Sequence, residues 1–205
     1  MSKKFIAIAA AVAVAVIALA GGTLAWLTST DTVTNTFTVG NVEITLDEAA
    51  VNDAGEAIPS AARVKTNTYH IVPGAVFDKD PTVTVLAGSE ACLVYVYVDN
   101  QLMANGTTYA ALDIDTDNWA FVGTYPCLYK YCGTPCGIVA KSSSATVLPA
   151  VFEHITINGA DLDNANTAAL ASQQVIVRAF AIQSDNLGSA DPTALAWDAL
   201  NIPTP

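Results

Sequence analysis

The residues able to carry chemistry in this chain are few. Histidine, the usual general base and zinc ligand near neutral pH, occurs twice, as His70 and His154. Neither belongs to an HExxH pattern, which sets two imidazoles one helical turn apart on a zinc ion. No GxSxG elbow presents a serine nucleophile. His154 alternates with Phe152 and Thr156, opposite Val151, Ile155 and Ile157, as a strand residue would. Both histidines read as structural, so the sequence predicts no enzyme and no cofactor.

Two further sets of residues have suggestive spacing. Cys127, Cys132 and Cys136 follow a C-x4-C-x3-C pattern, with Cys92 far upstream. Structural zinc sites favour closer C-x2-C pairs, and an exported chain meets an oxidising environment. Two disulfides are therefore preferred, holding the Cys127–Cys136 excursion to itself and to the Cys92 strand. All three connectivities stay open, as do reduced or metal-bound thiols. Asp113, Asp115 and Asp117 open like a calcium loop, but Asn118 and Thr124 stand where an EF-hand needs Gly and Glu. A solvated acidic loop is the preferred reading, with weak calcium binding as the alternative.

The elements that would position these residues are β-rich. The 205 residues are 52% hydrophobic and 13% charged, enough for a filled core. A net charge of −11 disfavours nucleic acid as a partner. Met1 to Ala25 carries Lys3 and Lys4, an apolar run from Phe5 to Ala20, Gly21-Gly22, and small residues before a cleavage point between Ala25 and Trp26. That is a secretory signal layout; a retained anchor is the competing reading, since the apolar run is long enough to span a bilayer. Loss of the two lysines with the signal would take the charge from −11 to −13.

Beyond the signal, Thr36 to Val39 and Val42 to Leu46 alternate apolar and polar, and Ala49 to Ala62 reads as a loop. Tyr69 to Val72 and Thr82 to Val85 predict short strands. Ala91 to Asp99 (ACLVYVYVD) is apolar on both faces and should be central. Trp119 to Val122 pairs with Leu128 to Tyr131; Ala145 to Leu148, Val151 to Ile157 and Gln174 to Gln183 follow, with a helical turn at Thr167 to Ala171. Asp191 and Pro192 cap a C-terminal helix whose Ala196, Trp197 and Leu200 would dock on the sheets. The fold predicted is all-β: a jelly-roll-like β-sandwich with a short C-terminal helix, preceded by a cleaved N-terminal signal helix.

Between signal and sandwich, Trp26 to Val39 is β-prone, has Asp31 as its one charge, and joins the core by one end. Such a segment suits β-augmentation of an open sheet edge. Here the residues also resemble a known family. Gly21-Gly22-Thr23, Ala25-Trp26-Leu27-Thr28, Asn35 to Gly40 and Ile44-Thr45-Leu46, with Val72-Pro73-Gly74 and Lys79-Asp80-Pro81-Thr82-Val83, are similar to the TasA/camelysin family of Gram-positive biofilm-matrix proteins. The resemblance implies export through a SipW-type signal peptidase to the extracellular matrix or cell surface. It also implies polymerisation with copies of itself, and with other matrix proteins, by donor-strand exchange.

Camelysin-like members have been called metalloproteases, an activity for which this chain shows no motif. The division expected is 1–25 signal peptide, 26–40 donor strand and 41–205 sandwich, with Trp26, Leu27, Val33, Phe37 and Val39 as donor anchors. The alternative is a monomeric adhesin or carbohydrate-binding module using Trp119, Tyr125, Tyr129 and Tyr131.

Overall fold

The computed structural model describes residues 41–104, 106–133, 137–159, 162, 164–170 and 172–200. The signal segment, its cleavage point at Ala25 and Trp26, the donor anchors Leu27, Val33, Phe37 and Val39, and Cys136 lie outside them.

Strands β1 (Ile44–Asp47), β2 (Val76–Asp78), β3 (Thr82–Val85) and β4 (Cys92–Asn100) come first. Three short ones follow, β5 (Met103–Ala104), β6 (Thr107–Thr108) and β7 (Ala110–Leu112), then β8 (Trp119–Phe121), β9 (Leu128–Tyr131), β10 (Ile138–Val139), β11 (Thr146–Val147) and β12 (His154–Ile157). Helix α1 (Asn164–Leu170), strand β13 (Val175–Gln183) and helix α2 (Pro192–Ala199) complete the chain. One layer runs β13-β4-β9-β8, with β10 also beside β4; two three-stranded sheets, β1-β3-β11 and β2-β12-β7, supply the facing residues. All these pairings are antiparallel. The result is the all-β, sandwich-like fold that the alternating sequence predicts.

The core follows from the period-2 geometry of β4. Cys92, Val94, Val96 and Val98 point inward with Val83, Trp119, Phe152 and Ile157. Leu93 and Tyr95 point outward, where Leu128, Ala196 and Leu200 cover them. An apolar outer face needs such a cover, and α2 provides it. Asp191 accepts from the Thr193 amide at 2.9 Å, and Pro192 opens the helix. Trp197 stacks on Tyr125 at 4.9 Å between centroids and meets Tyr97 edge-on at 6.2 Å.

Three local expectations change. Tyr69 to Val72 forms no strand: Tyr69 and Ile71 pack against the core, but no neighbouring strand among the described residues pairs with their backbone. In Val151 to Ile157 the ladder begins only at His154, because Val151 and Phe152 are spent filling the core. Asn100 to Asn118 carries three short strands, one of which, β7, pairs with β12.

Candidate functional site

The backbone directions of β13 define the site. The Gln101 amide donates to the Gln174 carbonyl and the Ser184 amide to the Ala91 carbonyl, both at the two ends of the β4–β13 ladder. Antiparallel pairs alternate between bonded and non-bonded, so even-numbered residues of β13 turn their amides and carbonyls toward β4. Val175, Val177, Ala179, Ala181 and Gln183 turn theirs the other way. No strand among the described residues pairs with that second edge. Natural sheets blunt such edges with charge, proline or bulges; β13 carries Arg178 and no proline.

Beside this edge lies a cleft of about 800 Å3. One wall is Leu46 to Glu48 with residues 64–71; the other is 172–177; Phe77, Leu102, Ile155 and Leu170 lie among its apolar residues. The two parts of the first wall are joined by backbone hydrogen bonds between Glu48 and Val64, at 2.9 and 2.8 Å, and by side chains. Arg63 binds the Asp47 carboxylate and reaches Asp80 Oδ2 at 2.8 Å; Lys65 Nζ donates to the Leu46 carbonyl at 3.0 Å. Asn67 Nδ2 donates to the Ala49 carbonyl at 2.7 Å and to Glu48 Oε1 at 2.9 Å. Glu48 also pairs with Lys79, both largely buried. Burial and the adjacent Glu48 carboxylate push the Tyr69 phenol up; its hydroxyl donates to the Asp78 carbonyl at 2.9 Å.

The residues singled out by type are dispersed. His70 is exposed on the cleft wall. His154 stands on β12 with Nδ1 2.7 Å from Asp113 Oδ2 and Nε2 3.8 Å from Asp78 Oδ1. The hydrogen bond to Asp113 raises the imidazole. Partial burial alone would raise Asp113, but bonds from the His154 ring and from the His154 and Glu153 amides hold it below the usual carboxylate range. The two carboxylates flank opposite ring nitrogens and so do not converge on one ligand position.

Asp115 is occupied differently, accepting from the amides of Asp117 and Asn118 at 3.1 and 3.2 Å. Asp117 is exposed. Among the described residues no three His, Cys, Asp or Glu side chains group to hold a metal ion. They do not fit a zinc centre.

Cys92, Cys127 and Cys132 are free thiols. Register shows why Cys92 and Cys127 cannot bridge. Leu128 faces Tyr97 and the Val98 amide bonds the Cys127 carbonyl, so Cys127 sits six residues along β4 from Cys92. At ~3.3 Å per residue that is roughly 20 Å, far beyond disulfide reach. Burial raises the Cys92 thiol, and burial with Asp99 nearby raises Cys127. The proposed aromatic display also needs correction. Trp119 is fully buried, its Nε1 donating to the Pro149 carbonyl at 3.1 Å and its ring meeting Tyr131 at 5.5 Å. Tyr125 is engaged with Trp197. The exposed aromatic here is Phe121.

Sequence reasoning missed two features: the edge of β13 left unpaired among the described residues, and the Glu48–Asn67–Lys79 cluster. Lys79, written between Asp78 and Asp80, has the look of a solvated charge run, and nothing local marks it as buried. Comparison with known proteins adds one match: residues 1–67 fit the family model described as camelysin metallo-endopeptidase. No curated protein and no solved structure matches the chain. The matched stretch ends at Asn67 on the cleft wall, and by it the first third of the chain is camelysin-like, in agreement with the TasA/camelysin resemblance.

Proposed function

We propose that this chain is a secreted structural subunit of extracellular matrix fibres. Its N-terminal segment, freed by a SipW-type signal peptidase between Ala25 and Trp26, adds as a strand to the next copy. The observation that carries this reading is the second edge of β13, unpaired among the described residues, beside a cleft whose lining includes Phe77, Leu102, Ile155 and Leu170. Five residues of that edge turn their amides and carbonyls away from β4, and a strand from a second copy would satisfy them. Residues 26–40 immediately precede Asn41 and have the composition such a strand needs, with Trp26, Leu27, Val33, Phe37 and Val39 to fill apolar positions. In this reading the camelysin-like part supplies export and assembly, and peptidase chemistry is not assigned. The dispersed histidines support that choice. A glycan-binding alternative loses Trp119, its largest aromatic, to the core.

The test compares protein beginning at Trp26 with protein beginning at Asn41, by electron microscopy and size exclusion. Filaments or detergent-resistant ladders from the longer form alone support strand donation. Monomers from both at high concentration overturn it.

A further inference from the structure

Lys79, Glu48 and Asn67 have the constitution of a self-reacting amide-forming centre. We propose that Lys79 and Asn67 form an intramolecular isopeptide bond, with Glu48 as the proton carrier. Glu48 touches both reactants, one carboxylate oxygen on Lys79 Nζ and the other 2.9 Å from Asn67 Nδ2. Lys79 and Glu48 are 9% and 5% exposed, so the amine is shielded from bulk water. The Asn67 carboxamide is fixed at both ends: Nδ2 donates to the Ala49 carbonyl at 2.7 Å, and Oδ1 accepts from the Val51 amide at 3.1 Å. That last contact places a preformed donor on the oxygen where negative charge would develop during addition. Holding nucleophile, electrophile and proton carrier together converts a reaction between two sluggish groups into a unimolecular one.

The step balances without a co-reactant. Glu48 takes a proton from the Lys79 ammonium, and the freed nitrogen lone pair attacks Asn67 Cγ. The carbonyl electrons move to Oδ1, facing the Val51 amide. Collapse restores the carbonyl and breaks the Cγ–Nδ2 bond, while Glu48 hands its proton to the departing nitrogen, takes one from the attacking nitrogen and passes that one on to the ammonia released. One ammonium and one carboxamide thus become a secondary amide and an ammonium ion, and Glu48 ends ionised as it began. A buried ion pair is by itself weak evidence of a stabilising role, since it is often no better for stability than apolar residues of equal volume. The bond would also fix the cleft wall at 64–71, which no sheet ladder secures among the described residues.

The test is the intact mass of the purified, reduced full chain, with its N-terminus determined by sequencing, followed by tryptic fragmentation. The expected result is a mass lower than the sequence by one ammonia, no cleavage after Lys79, and no backbone fragments between Asn67 and Lys79. Glu48→Gln and Lys79→Ala should restore the full mass. Asn67→Asp, close in shape and so least disturbing to folding, should lose one water instead. Full mass with ordinary cleavage after Lys79 in the unaltered chain overturns the proposal. So does an ammonia loss that persists in Lys79→Ala, which would mark cyclisation of Asn67 onto its own backbone.

Discussion

β4 and β13 are each nine residues long and pair with each other from end to end, yet they have opposite standing in the molecule. β4 has partners on both edges, β13 on one side and β9 with β10 on the other. Six of its nine residues, Cys92 to Val96 and Val98, are buried. Eight of the nine residues of β13 are half-buried and the ninth is exposed. Their sequences, CLVYVYVDN and VIVRAFAIQ, are almost equally apolar. The difference teaches that apolar content sets whether a segment becomes a strand, while position decides whether its second edge is filled. A long apolar strand whose second edge has no partner among the described residues is, over those residues, an unfinished sheet.

The sharpest way to break this comparison is to charge two residues that face each other across the ladder, Val94 and Ala181. Val94→Asp buries an unpaired carboxylate and should cost about 3–5 kcal/mol, enough to unfold a marginal domain. Ala181→Asp, on a half-buried residue, should cost about 1 kcal/mol. Urea midpoints of the two variants check this; equal losses would show β13 to be as deeply embedded as β4.

A smaller effect comes from proline. Ala179 turns its amide to the open edge, so Ala179→Pro removes no bond to β4 and should cost only about 1 kcal/mol. It should nevertheless abolish filaments by electron microscopy, because it deletes a donor and places a ring in the path of an added strand. Filaments of normal yield would move the acceptor edge elsewhere.

The smallest effect concerns the opposite layer, where His154 meets Asp113. The imidazole is raised on folding, so its contribution is full below the unfolded value of 6.5 and fades as pH rises through the folded one. Asp113 is lowered, so its contribution is full above 3.8 and fades as pH falls through the folded value. The pair therefore stabilises most between about 3.8 and 6.5. With half-exposed side chains the amount should be under ~1 kcal/mol. Asp113→Asn should flatten the pH dependence of the urea midpoint without altering assembly. A change in filament yield across that window that disappears in Asp113→Asn would show β13 is not the sole determinant.

Much of this fold was legible because its signals are local. β4 announces itself by apolar residues on both faces, and α2 by Asp191 and Pro192 at its start. What stayed hidden depends on partners distant in sequence. Trp119 and Phe121 share a face by period, yet one is fully buried and the other 58% exposed, because only one lies over the core. Tyr69 to Val72 has strand chemistry and, among the described residues, no adjacent strand to use it. The cleft is lined by residues from 46 to 177, so no window of sequence contains it. Cysteine spacing likewise says nothing of strand register, which separates Cys92 from Cys127.

The cleft wall at 64–71 has one more consequence. Its position is set by the Glu48–Val64 backbone pair and by the side chains of Arg63, Lys65 and Asn67, while its amides from Lys65 to Val72 find no acceptor among the described residues. Stillness and protection from solvent are separate properties here. Such a stretch should hold a single conformation yet trade its amide hydrogens for deuterium nearly as fast as an open chain, until something lies down beside it. The rate of that trade is thus a built-in gauge of whether the cleft is filled, readable without labelling the molecule that fills it.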